Sequence, residues 1–349
     1  MKYILPFLIV LLISCERDIV DDGSNAVIGD IVVSNISDIA VSSIGDIVVS
    51  KNHLSFPDLV YFNNMWYVVY RESDGHIGTY SIIKVLKSKD FDKWEEIFSY
   101  ELSGWDLRDP KFSLNQSYNK LYLHFHSTTF KNYGVQRENL YIEYNQQINN
   151  FSKEEADIKK IVVPTNYENI WLWRPEWNNG VLYCIGYNPN IIKGVVLFTY
   201  PTITATNPNI TPLLDHLGAT EGTIRFNNDQ VYCLIRRNSN DAILGEYNIK
   251  KTSDFSWNNI ISLYDFGGPN MVLSDDFIFL GGRKNDSLFI GRLKLKDSNN
   301  SIEELEKLPS MGDCSYPGMV LFNNMLYIAY YTQKDNGYAI SFGIYDFSK

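Results

Sequence analysis

Six recurrences of one strand–turn–strand unit predict an all-β chain closed into a ring: a six-bladed β-propeller with four-stranded blades. Two further observations agree. Tyr, Phe and Trp make up 14% of the 349 residues, a share that favours strands. The segments between turn signals are short, and no convincing long amphipathic helix interrupts them. At 45% hydrophobic, the chain can build a large core without a disulfide framework. A five-bladed ring, with one unit misread, is the alternative.

The chain opens with Met1-Lys2 and an apolar run from Tyr3 to Ile13. A bilayer needs about 20 apolar residues, so this run reads as a signal peptide over residues 1–14. Leu12-Ile13-Ser14-Cys15 resembles the bacterial lipobox, which implies lipidation of Cys15. The alternative is an ordinary signal peptide cut nearby. Glu16 follows the cysteine where an Asp would favour inner-membrane retention, so the resemblance implies an outer-membrane lipoprotein, facing the periplasm or the cell surface. Residues 15–43 read as a lipid-anchored tether. It carries octapeptide repeats: Ile28-Gly29-Asp30-Ile31-Val32-Val33-Ser34 returns as Ile44-Gly45-Asp46-Ile47-Val48-Val49-Ser50.

Residues 44–349 form the propeller domain. The stretch from Ser55 to Tyr67 returns as Ser315 to Tyr327, each a strand, an Asn-Asn turn and a strand. Further copies begin at Asp109, Arg174, Glu221 and Gly268, with Pro57, Pro110, Pro175, Pro269 and Pro317 marking the register. The last unit shows only three strands, so ring closure needs a fourth from elsewhere. Ile44–Ser50 is the natural supplier, and it removes an open edge.

Ser88-Lys89-Asp90-Phe91-Asp92-Lys93-Trp94 in blade one and Thr252-Ser253-Asp254-Phe255-Ser256-Trp257 in blade four resemble degenerate Asp-boxes. There the Asp caps a turn and the Trp packs between sheets. A sharper resemblance lies at the strand ends. Glu221-Gly222-Thr223-Ile224 opens one strand and Arg237 ends the next, sixteen residues later. Gly281-Gly282-Arg283 ends the second strand of blade five, and Tyr316 opens blade six. In this order the set resembles the sialidase superfamily over roughly residues 50–349, and is similar to a bacterial lipoprotein branch of it. The resemblance implies a glycoside hydrolase that releases a terminal sialic acid or related acidic sugar. Tyr316 would be the nucleophile and Glu221 its base, with Arg237 and Arg283 binding the sugar carboxylate.

The chemistry accounts for these residue types. Arginines bind a carboxylate bidentately and stay charged when partly buried. A carboxylate nucleophile would be repelled by an anionic sugar, whereas a neutral tyrosine with a Glu base would not; sialidases are the recognised exception to the two-carboxylate pattern. The chain departs from the family at Ser55, where the first carboxylate-binding arginine is expected. Arg71, Arg108 or Arg174 could replace it, and Arg108 is preferred because it opens blade two at the pocket rim. The general acid could be Asp74 or His76, in the loop after the second strand of blade one, with Asp58 a third candidate. Trp171 and Trp173 could stack on sugar faces or pack between blades.

Two other functions stay open: a surface glycan-binding propeller without catalysis, and a five-bladed glycosidase using Asp58, Asp109 and Glu221 on neutral sugars. The formal charge of −10 argues against nucleic acid as a partner, leaving a glycan, and the membrane through the lipid anchor only. No cofactor and no metal is implied. His124 and His126 alternate on one strand, but no Cys or carboxylate at ligand spacing joins them. Cys184, Cys233 and Cys314 read as small buried hydrophobes.

Overall fold

A computed structural model describes residues 40–347, apart from 79, 132–133, 189–191, 217, 239–240, 251–253 and 297–299. The signal segment, Cys15 and the first octapeptide copy lie outside the described residues. Six sheets form the blades, five with their strands in sequence order and the last completed by the strand that precedes blade one. Their innermost strands are His53–Phe62, Asp106–Asn115, Trp171–Asn178, Ala219–Asn227, Gly267–Leu273 and Cys314–Phe322. Each packs against the inner strand of the next blade, and the last returns to the first, so six blades close one ring. The five-bladed alternative is thereby set aside.

Closure comes from the strand ahead of blade one. Ala40–Ser50 pairs antiparallel with Gly337–Asp346, from Ala40 opposite Asp346 to Ser50 opposite Tyr338. It begins four residues before the expected Ile44. The Asn-Asn turns behave as their sequence requires. Asn63 and Asn64 (φ 48° and 59°) and Asn323 and Asn324 (φ 50° and 58°) are both left-handed, the geometry of a tight hairpin matched to strand twist.

Aromatic rings fill the seams between blades. Trp66 of blade one lies 4.2 Å from Tyr327 of blade six and 5.1 Å from Phe91. In the turn 88–94, Asp90 accepts the N–H groups of Asp92 and Lys93 at 3.1 and 3.2 Å. The buried ring of this turn is Phe91, at φ 65° and packed 5.3 Å from Phe342, while Trp94 covers it from outside at 5.1 Å. The expected inter-sheet role of the Trp thus falls to the Phe.

The inner strands share a feature that builds the site. Each ladder slips between Ser55 and Asp58, Arg108 and Lys111, Trp173 and Glu176, Ala219 and Gly222, Gly267 and Asn270, or Ser315 and Gly318. These are β-bulges, which kink a strand and re-aim its side chains. Ahead of the proline in five of them sits a left-handed residue: Phe56 (56°), Asp109 (49°), Arg174 (36°), Gly268 (57°) and Tyr316 (53°). Such backbone costs about 1–3 kcal/mol per non-glycine residue and persists only where the surroundings enforce it. At Gly268 a Cβ would collide with Ser315 and Tyr316.

Candidate active site

The bulges meet at the ring centre, where two buried cations close the channel. Arg174 donates to Asp58 Oδ1 at 2.9 Å and to the Pro317 carbonyl at 2.9 Å, joining blades three, one and six. Lys111 donates to the carbonyls of Phe56, Pro57 and Pro110 at 3.0, 3.2 and 3.0 Å. Burial and the neighbouring Arg174 push its ammonium down to about 7. Asp58 also accepts the Phe112 N–H at 2.9 Å. Arg174 and Asp58, expected among the substrate contacts, are therefore both held in this plug.

Above the plug stands Tyr316. Its ring lies 5.0 Å from Phe56 and 5.5 Å from Trp173. Trp173 is 1% exposed, so it packs under the tyrosine and presents no open face to a sugar. The Tyr316 hydroxyl donates to Glu221 Oε1 at 2.8 Å. The other oxygen of Glu221 accepts from Arg236 Nη1 and from the Gly268 N–H, both at 3.1 Å. Burial alone would raise the Glu221 pKa. The Arg236 charge and the Tyr316 and Gly268 hydrogen bonds outweigh it and hold the carboxylate below its usual value. Tyr316 moves the other way: burial, then the Glu221 charge, push its phenol well above its usual value. At rest the proton sits on the tyrosine and the charge on the glutamate.

The arginine beside Glu221 is Arg236, where Arg237 was expected. Consecutive residues of a strand face opposite sides. Arg237 turns away and donates to the Asp241 carbonyl at 2.6 Å and Asn259 Oδ1 at 3.0 Å. Arg236 also approaches Asp265 at 3.6 Å, and Arg283 reaches the same carboxylate at 3.8 Å. Arg283 lies 3.8 Å from Asp313 as well, and Tyr331 donates to Asp313 at 2.8 Å. Arg236, Arg283, Tyr316 and Glu221 thus form one constellation drawn from blades four, five and six. Asp265, Asp313 and Tyr331 support it; none of the three carries a sequence signal of its own.

The remaining candidates lie on the blade-one and blade-two side. Arg71 is fully buried and bound to Asp106 Oδ1 at 2.6 Å and to the Leu107 and Gly75 carbonyls at 2.9 Å each, so it anchors the loop rather than lining the pocket. Arg108 lies between the rings of Phe56 (5.4 Å) and Trp171 (5.7 Å) and donates to the His76 carbonyl at 3.1 Å. Asp74 is exposed on the loop. The exposed His76 ring edges onto Phe56 at 5.6 Å, and partial burial with the Arg108 charge pushes its imidazole down to about 4. Asp109, at a left-handed bulge position like Tyr316, is 5% exposed. Burial pushes its carboxyl up to about 6, against the pull of Arg108 and Lys111 and with the help of the Glu221 charge.

No protein-family model matches the sequence, and no curated protein matches it. Solved structures do match. Trypanosoma rangeli sialidase bound to the inhibitor DANA superposes with a TM-score of 0.64 at 10% identity, over 84% of this chain and 55% of that one. The phage phi92 endosialidase gives 0.63 at 9% identity, over 87% of this chain and 68% of that one. The intramolecular trans-sialidase from Ruminococcus gnavus gives 0.61 at 10% identity, over 86% of this chain and 95% of that one. The fold is a sialidase-like six-bladed propeller. The chain spans about half the length of the trypanosomal enzyme it superposes on. In this sialidase-like ring the buried Ser55, where the first arginine was expected, lies opposite the buried Arg71 on the neighbouring strand.

Proposed function

We propose that this protein is a glycosidase of the sialidase type, releasing a terminal sialic acid or a related acidic sugar. One observation carries the reading: a neutral tyrosine hydrogen-bonded to a buried anionic glutamate, with Arg236 and Arg283 beside it. The arginines bind the sugar carboxylate and set the anomeric carbon over Tyr316. As the phenolic oxygen attacks, Glu221 takes its proton. The leaving oxygen receives a proton from Asp109. At neutral pH, a carboxyl poised near 6 holds a proton more often than an imidazole held near 4, which favours Asp109 over His76. Water then attacks the anomeric carbon with Asp109 as base, the bond to the Tyr316 oxygen breaks as Glu221 returns its proton to it, and the two displacements retain configuration. Hydrolysis of aryl sialosides and a panel of acidic glycans tests this. Turnover that survives in Tyr316→Phe would exclude the mechanism.

A second reading, a glycan-binding propeller without turnover, is favoured by Ser55 and by the locking of Arg71 onto Asp106. Only two arginines then face the substrate carboxylate. Calorimetric binding of sialosides with no hydrolysis of any acidic glycan would select it. In either case, lipidation at Cys15 would hold the propeller at the outer membrane.

A further inference from the structure

We propose a binding site for a divalent transition-metal ion of the zinc class, made by His53, His76 and Asp313 at the seam between blades one and six. The three come from the start of the first blade's inner strand, the loop after its second strand, and the approach to the last blade. One ligand atom from each lies within 4.8 Å of the others. His53 Nε2 stands 3.7 Å from Asp313 Oδ2, and the two imidazoles are 5.8 Å apart at 87°.

His53 supplies the second observation. Its side chain is 5% exposed; Nε2 faces only Asp313 Oδ2, at 3.7 Å, and Nδ1 has no hydrogen-bond partner among the described residues. Buried polar atoms are nearly always paired, and an orphaned one asks for an unseen partner. Two imidazoles and one carboxylate are a standard three-ligand set for zinc, leaving a fourth position for water or a ligand oxygen. Zinc bonds of about 2.0–2.2 Å require ligand atoms about 3.3 Å apart. The His53–Asp313 pair is close to that already, and rotation of the exposed His76 side chain would bring its ring nitrogen the rest of the way. The outer partner that zinc sites need is also present, since Tyr331 donates to Asp313 and orients its carboxylate. A bound ion would tie the His76 loop to blade six across the seam where the ring closes.

Zinc titration calorimetry on the metal-stripped full chain, with cobalt(II) absorption as a second readout, tests the site. The expected result is one ion per chain, a cobalt spectrum of a low-symmetry four- or five-coordinate site, and a rise in melting temperature with zinc. His76→Gln, on an exposed loop, should weaken zinc binding at least tenfold while leaving the fold intact by circular dichroism. His53→Gln should do the same. The absence of stoichiometric zinc binding to the wild-type chain would overturn the proposal. So would binding that both glutamine variants leave unchanged. Neither outcome depends on glycosidase activity, so the metal site and the proposed function fail separately.

Discussion

The hydroxyl of Tyr316 donates to Glu221 Oε1 at 2.8 Å, joining blade six to blade four over the plugged centre of the ring. The same glutamate accepts from Arg236, so the tyrosine's proton acceptor is held in place by a cation. If this pair is the nucleophile and its base, Tyr316→Phe should lower kcat by about 10³-fold or more while the fold and sialoside binding survive. Steady-state kinetics beside calorimetry would check both halves. A small loss of kcat would remove the tyrosine from the chemistry.

The arginine dipeptide offers a paired test. Arg236→Lys removes a forked donor beside Glu221, whereas Arg237→Ala removes one bound to a loop carbonyl. The first should reduce kcat/KM for an acidic glycan by tenfold or more, as losing charged hydrogen bonds costs about 1.5–3 kcal/mol. The second should stay within about threefold, the scale of ordinary surface substitutions. The reverse ranking would restore Arg237 to the pocket.

A general acid must be protonated to work. With Asp109 pushed up to about 6, kcat should fall as pH rises through that value. Stability should move the same way. A carboxyl whose folded pKa exceeds its unfolded value of 3.8 stabilises the fold below that value, and the contribution is lost as pH rises towards 6. Asp109→Asn should abolish the kinetic limb and flatten this part of the stability profile. A pH–rate profile unchanged in the variant would transfer the acid role elsewhere, with His76→Gln the next variant to measure.

Arg174 and Asp58 share a buried ion pair at 2.9 Å. Breaking it by Asp58→Asn or Arg174→Met leaves a buried charge without its counter-ion and should cost about 3–5 kcal/mol in urea unfolding. Replacing both with apolar residues should cost far less than the sum of the two. Additive losses would show that the two side chains act independently.

The proposed lipidation of Cys15 makes a cellular prediction. Cys15→Ser should abolish incorporation of labelled palmitate and release the protein from the membrane fraction. Retention of the label in the variant would remove the lipid anchor from the account.

Repetition made the ring readable from the chain alone. Pro57, Pro110, Pro175, Pro269 and Pro317 mark equivalent strand positions, and the Asn63-Asn64 and Asn323-Asn324 turns admit little besides a tight hairpin. Because aromatic residues such as Trp66 and Tyr327 pack one blade against the next, local pattern and global closure coincide. The same register brought Glu221, Arg283 and Tyr316 to one place, since equivalent positions in a ring face a common centre. Tertiary structure alone decided the rest. Strand pattern does not say which of Arg236 and Arg237 turns inward; the carboxylates of Glu221 and Asp265 do. An arginine at a strand end reads alike whether free or bound, and only packing showed Arg71 held by Asp106 and Arg174 held by Asp58. Asp313 meets His53 and His76 only because blade six closes onto blade one. The repeat specifies the ring, and the long-range charge pairing made possible by closing it selects the chemistry at its centre.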